Sequence, residues 1–319
     1  MNSAYVLIAI GAWFAVNMGA SGLAPAFGPA LGARVISPRK ATVAFGVFVL
    51  LGATLFGSHV AKTLASGIVP AASFGTTTTL IVLIATNAAL LIANLVGIPQ
   101  STSWVTVAAI VALGAFRGDL TTHTLTHRLI PAWIVLPLAS FVLCAVGVRL
   151  VYPLYGGGRI HSLIHHHERL LRALLVASSC YVALAIGANN VANVAGPLAA
   201  AGVLDVATGL LWFSPLFGIG AAVFDGPART IARDVVPLGV LTATICNLVV
   251  ASLLLVASRL GLPQSLVQLN AAAVLGVALV KEGRSGVFSG RGTRRMLGLW
   301  LVTPVVAAGL TVIGLAVMR

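Results

Sequence analysis

Ten long apolar runs follow one another along this chain, and the short segments between them hold nearly all of its charge. The runs fall at about 4–20, 39–57, 78–97, 100–116, 129–152, 170–188, 206–225, 235–260, 264–281 and 295–318. A helix crossing the hydrocarbon core of a bilayer needs about 20 apolar residues. A lone segment in lipid must satisfy its own backbone polar groups, so each run is expected to be a helix. Only 8% of the residues are charged, where a soluble domain carries about 25%. A soluble globular fold is excluded, and the lipid bilayer is the solvent.

The net charge of +13 would suit nucleic acid, but the basic residues punctuate the gaps between spans as in membrane proteins. Fourteen Lys and Arg residues lie on the side that holds the loop after the first span. Five lie on the other: Lys62, Arg117, Arg128, Arg259 and Arg319. The richer side is the cytoplasmic one, which places both termini outside a cell membrane. The N-terminal stretch has no basic lead-in and reads as a first span rather than a cleaved signal. Cys144, Cys180 and Cys246 lie inside apolar runs without metal-type spacing, so neither a disulfide framework nor a metal site is expected. The histidines of 161–169 sit in a basic linker, and His123 and His127 read as a solvated outer loop. No cofactor is implied.

The chain repeats itself. "GASGLAPAFGPALGARV" (19–35) aligns with "GANNVANVAGPLAAAGV" (187–203), "GAT" (52–54) with "GAA" (220–222), "KTLASGIVP" (62–70) with "RTIARDVVP" (229–237), and "GIPQS" (97–101) with "GLPQS" (261–265). Four echoes in the same order mark an internal duplication. Five spans per half, an odd number, thread the second copy upside down relative to the first. The expected fold is an all-α integral membrane protein with about ten transmembrane helices. They form two inverted-topology five-helix repeats with broken or re-entrant helices, the architecture of many secondary transporters. The expected divisions are a first repeat at 1–152, a cytoplasmic linker at 153–169 and a second, inverted repeat at 170–319.

Each repeat opens with a hydrophobic helix that runs into small and polar residues and then Gly-Pro. Such a break at membrane depth frees backbone groups, which are tolerated where they line a cavity or meet other protein. Helix N-termini so exposed would offer N–H donors to an anion. Asparagine and serine add dipoles without a buried charge. Tight helix crossing and amide-mediated helix contact explain the same residues more simply; the paired, inverted occurrence favours a site. In the second element, proline suits the first helical turn, and Ser101, Thr102 and Ser103 follow it at once, with Ser265 in the other copy. Hydroxyls and free N–H groups at a helix start suit a tetrahedral oxyanion.

"FAVNMGASGLAPAFGPALGARVIS", "AIGANNVANVAGPLAAAG" and the two Pro-Gln-Ser segments resemble the inorganic phosphate transporter family, whose repeats each open on a Gly-Ala-Asn-Asp-type motif. The resemblance implies a permease for an inorganic anion and leaves a homodimer open. The "NMGASG" form is similar to the sulfate permease branch. Where the family has Asn-Asp, this chain has Ser21-Gly22 and Asn189-Asn190, and Pro25 replaces the later asparagine of the first copy. The missing aspartates are implicated in sodium and phosphate binding in phosphate carriers. Sulfate is fully ionised and only accepts hydrogen bonds, so a site of donors without carboxylates fits it. A hard cation prefers carboxylate oxygens, which ranks H⁺ ahead of Na⁺ as coupling ion and leaves uncoupled movement open.

The expected substrate ligands are Asn17, Gly19, Ser21, Gly22, Ser101, Thr102, Ser103, Gly187, Asn189, Asn190, Asn193 and Ser265. The glycines are expected to let backbone N–H groups approach the anion. His59 and Asp225 are the candidates for a proton relay, with interfacial capping as the simpler use of both. A sulfate permease working by alternating access leads. A phosphate permease with H⁺ or Na⁺ symport is second, and a membrane sensor or scaffold that binds without transport is the reading from another class. An intramembrane enzyme is not expected, because no span core holds Asp, Glu or His.

Overall fold

The computed structural model is all-helical and describes residues 2–95, 100–155, 167–223, 239–288 and 291–318. The first half contains α1 (Asn2–Gly19), α2 (Leu23–Gly32), α3 (Pro38–Phe56), α4 (Thr76–Leu95), α5 (Thr102–Arg117) and α6 (Ile130–Tyr155). The second contains α7 (Glu168–Asn190), α8 (Ala192–Ala200), α9 (Val206–Val223), α10 (Val240–Arg259), α11 (Leu266–Phe288) and α12 (Arg291–Val317). Among the described residues, seven segments are long and apolar enough to cross a membrane, with α1–α2 and α7–α8 counted as one each. Shorter apolar stretches at Thr102–Arg117, Leu266–Lys281 and Val302–Val317 supply the rest. Every expected span therefore has its helix, and the chain is a multi-pass membrane protein of two inverted repeats.

The halves are interleaved rather than laid side by side. Helix α1 packs on α9 and α7 on α3, while α5 packs on α12 and α11 on α6. Each contact has its counterpart at the equivalent place in the other half. Glycine makes the inner crossings possible. A Cβ on Gly19 would stand 1.9 Å from the Phe217 carbonyl oxygen, and one on Gly220 1.8 Å from that of Val16. In the other crossing, Gly187 would meet the Val49 oxygen at 2.0 Å and Gly52 the Leu184 oxygen at 1.8 Å. Lipid offers helices little hydrophobic incentive to associate, so close backbone approach and van der Waals contact carry the packing. Gly19 and Gly187 are thus spent on helix crossing, where an adjacent backbone fills the space beside each Cα. The simpler explanation of those glycines accounts for them.

The helix breaks are present but shallow. Between α1 and α2 the N–H groups of Ser21 and Gly22 bond to the carbonyls of Met18 and Gly19 at 3.2 and 3.1 Å. Between α7 and α8 a single turn residue, Val191, accepts from both Val194 and Ala195 at 3.2 Å. The backbone tightens to three-residue bonds instead of opening, so the N–H of Gly22 is not available to an anion. The segment around His123 and His127, expected as a loop, is helical, and the two rings stack with centroids 4.5 Å apart. Cys144 on α6 and Cys246 on α10 are buried free thiols. The Arg-Thr-Ile segment at 229–237, Asp225 and histidines 161, 165 and 166 lie outside the described residues.

Candidate functional site

Asn189 closes the last turn of α7, fully buried, and its amide joins three elements. Nδ2 donates to Ser258 Oγ on α10 and to the Leu262 carbonyl, both at 3.0 Å. Oδ1 accepts the backbone N–H of Gln264 at 2.9 Å and the hydroxyl of Ser103 at 3.4 Å. The Pro-Gln-Ser helix starts of the two halves therefore meet on one side-chain oxygen. Asn193, in the first turn of α8, directs Nδ2 toward Thr102 Oγ1 and Ser103 Oγ at 3.4 and 3.5 Å. Those distances lie beyond the usual 2.7–3.2 Å, so the donor is held loosely. Asn190 and Asn193 are buried, and among the described residues the Oδ1 atom of each has no partner.

The hydroxyls divide by use. Ser101 and Ser265 are the N-caps of α5 and α11: each Oγ accepts an N–H three residues on, from Trp104 and Gln268, at 3.2 Å. Capping occupies the oxygen as acceptor and leaves the O–H proton to donate. Thr102 and Ser103 are turned toward α7 and α8. Trp133 helps hold the second helix start, donating from Nε1 to the Pro263 carbonyl at 2.9 Å, and its ring lies 4.9 Å from that of Trp104.

Residues of the first copy gather elsewhere. Asn94 Nδ2 donates to the carbonyl and Oδ1 of Asn17 at 2.9 and 2.7 Å. Asn17 Nδ2 donates in turn to the carbonyl and Oδ1 of Asn87 at 3.0 and 2.6 Å. The result is a polarised chain of three buried amides between α1 and α4. Ser21 bonds back to its own helix at the Met18 carbonyl, 3.0 Å away. Gly22 lies beneath aromatic rings: a Cβ there would meet Phe45 Cζ at 2.6 Å and Phe217 Cε1 at 3.0 Å. The structure thus brings Thr102, Ser103, Asn189 and Asn193 together, joins Ser265 to them through Gln264, and leaves Asn17, Ser21 and Gly22 apart. His59 is exposed on the short turn Ser58–Lys62, and among the described residues no hydrogen bond links its ring to the cluster.

Among the described residues, no hydrogen bond or ion pair brings a charged side chain to this centre. Among the described residues, Asp119 accepts from the Ser73 hydroxyl, Glu168 pairs with Arg172 at 2.6 Å, and Asp205 caps Thr208, all at helix ends. The Thr208 hydroxyl and N–H hold the exposed Asp205 carboxyl below its ordinary value. The cluster is a set of neutral dipoles, which can coordinate an ion without the cost of burying a fixed charge. Sequence reasoning missed Gln264, Ser258, Asn87 and Asn94. Each is a polar residue inside or beside an apolar run, and Gln264 stands directly before Ser265 in the repeated motif.

The phosphate transporter family model matches twice, over residues 18–166 and 158–311. The chain belongs to the phosphate transporter family. The two matches are the duplication seen in the paired helices, and membership makes the chain a transporter of an inorganic anion rather than an enzyme. Among relatives of this family, the sulfate permease CysP of Bacillus subtilis is 32% identical over 317 residues, covering 98% of this chain and 86% of that protein. The Pyrococcus furiosus protein named "Putative phosphate permease" is 25% identical, over 86% of this chain and 87% of its own length. A solved sodium-dependent phosphate transporter has the same fold, with a TM-score of 0.85 and 22% identity over 100% of this chain and 99% of that one. Among the described residues, the side-chain contacts at this junction fall to asparagine, serine and threonine.

Proposed function

We propose that this chain is a secondary active permease that carries sulfate across the cell membrane by alternating access, with both termini outside. The observation that carries this reading is the junction at Asn189. Buried amides and hydroxyls from both halves converge there, and among the described residues no carboxylate joins them. Sulfate, with acceptors alone, suits a site of donors. The likeness to the Bacillus subtilis sulfate permease supports the choice. The ligands are Thr102, Ser103, Asn190 and Asn193, with the capping hydroxyls of Ser101 and Ser265 donating their protons, while Asn189, whose Nδ2 protons are both committed within the protein, positions Ser103 and the Gln264 backbone. The glycine-locked helices α1, α3, α7 and α9 form the frame. Movement of the α5–α12 and α6–α11 pairs against that frame opens the cluster alternately to each side. The sequence halves 1–152 and 170–319, joined by 153–169, are interleaved and so do not move as separate bodies.

Phosphate is the second reading, favoured by the permeases of that name among the relatives. Labelled sulfate and phosphate uptake into proteoliposomes, with proton and sodium gradients imposed separately, tests both. Saturable sulfate uptake driven by an inward proton gradient is expected. Saturable phosphate uptake that excess sulfate leaves untouched overturns the sulfate reading, and dependence on sodium overturns the proton coupling. Anion binding without flux would make the protein a sensor.

A further inference from the structure

Gln264 is fully buried, and among the described residues neither Nε2 nor Oε1 of its side chain has a hydrogen-bond partner. Native interiors pair nearly all buried polar atoms, because an orphan amide loses its water and gains nothing in return. A glutamine in this position therefore calls for a use outside the fold. Its backbone already has one: the N–H is held by Asn189 Oδ1, the atom that also accepts from Ser103. The backbone of Gln264 is thereby fixed at the junction of the two halves, one residue before the Ser265 cap. The equivalent residue of the first copy, Gln100, is half committed: its Oε1 accepts from the Thr303 hydroxyl at 2.6 Å, while among the described residues its Nε2 has no partner.

The donors around the junction are unequally committed. Both hydrogen bonds of Asn189 Nδ2 are made within the protein, and Asn193 Nδ2 is shared between two hydroxyls. Gln264 Nε2 carries two protons with no acceptor among the described residues. We infer that Gln264 contacts the transported anion directly, donating from Nε2 to one of its oxygens. The inference rests on the reading of this cluster as an oxyanion site, and it does not depend on which oxyanion is carried.

The test uses the full chain in proteoliposomes, with labelled sulfate and labelled phosphate as probes, and thermal unfolding of the purified protein with and without each anion. Gln264→Met keeps the length of the side chain and removes donor and acceptor. It is expected to melt no lower than wild type, since it removes an orphan amide. Its KM for the carried anion should rise at least about tenfold, and the anion should no longer raise its Tm. Gln264→Glu is expected to be worse at neutral pH. Relative to wild type at each pH, it should recover in acid, where the protonated carboxyl again donates. The recovery is read as KM at equal amounts of folded protein, because a buried carboxylate at a merely structural position would recover in folded yield but not in KM. Unchanged KM and unchanged anion-induced stabilisation in folded Gln264→Met overturn the inference, as does a Gln264→Glu profile parallel to wild type if Gln264→Met does not fold. Wild type carrying phosphate alone would remove the sulfate reading and leave Gln264 to be judged on phosphate. Wild type neither carrying nor stabilised by either anion ends both.

Discussion

The two copies of the opening motif occupy equivalent places in the fold and are put to different use. In the second copy, Asn189 and Asn193 reach across to Ser103, Thr102 and the Gln264 backbone, and the Oδ1 atoms of Asn190 and Asn193 are unpaired. In the first copy, Ser21 bonds to its own helix and Gly22 is roofed by Phe45 and Phe217, whose centroids are 6.0 Å apart. The glycines Gly19 and Gly187 do the same job in both copies. Duplication therefore preserved the packing of the motif on both sides while its polar chemistry was kept on one. Packing is set by backbone geometry, which a two-fold relation imposes equally. An ion is bound by particular side chains, and one site needs one set.

The largest effect should come from the shared part. Gly19→Ala and Gly187→Ala each place a methyl within about 2 Å of a carbonyl oxygen on the crossing helix. Backbone cannot step aside as a side chain can. Both variants should lose most of their folded protein, to about a tenth or less of wild type by size-exclusion chromatography. Gly32→Ala, with open space around it, should behave as wild type. Tolerance of one alanine but not the other would break the equivalence of the two crossings.

A smaller effect separates the polar residues. Asn193→Leu removes a buried donor from the cluster and should lower uptake about tenfold to a hundredfold, as loss of about 1–3 kcal/mol would. Ser21→Ala removes a hydroxyl that serves only its own helix, so its uptake should stay within about twofold of wild type. Initial rates in proteoliposomes, normalised to folded protein, read the difference. Equal losses would mean that the first copy takes part after all.

The smallest effect concerns the caps of α3 and α9, which sit at equivalent positions. Ser37 makes no side-chain cap bond, whereas Asp205 accepts from the Thr208 N–H at 3.0 Å. The carboxyl of Asp205 is held below its ordinary value by those bonds. Its contribution is therefore present above the unfolded-state carboxylate range and is lost as pH falls through the lowered folded value. Asp205→Ala should lower Tm slightly at pH 7, with the difference closing in acid, and Ser37→Ala should leave Tm unchanged at both pH values.

Much of this was legible in one dimension. The spans were readable because a bilayer demands long apolar helices whatever surrounds them. The duplication was readable because Gly19, Pro29 and Gln100 recur at Gly187, Pro197 and Gln264 in the same order. The candidate cluster was half readable. Asn189, Asn193, Thr102 and Ser103 could be named from their types, but so could Asn17, Ser21 and Gly22, which lie apart from them. Local sequence cannot distinguish a glycine beneath two phenylalanines from one beside a ligand, since both rings come from other helices. Gln264 was legible as part of the repeat but not of the candidate site, because its backbone partner lies 75 residues away.

By itself, the order of residues determined that the protein lives in lipid, that it is helical, and that its two halves are copies threaded in opposite directions. These follow from hydropathy and periodicity, which are properties of a segment and its neighbours in the chain. Tertiary structure alone decided that the halves interlock, that four glycines are consumed where helices cross, and that one motif copy is polar at the centre while the other is covered. Those outcomes depend on which distant backbones and side chains come within a few ångströms of each other.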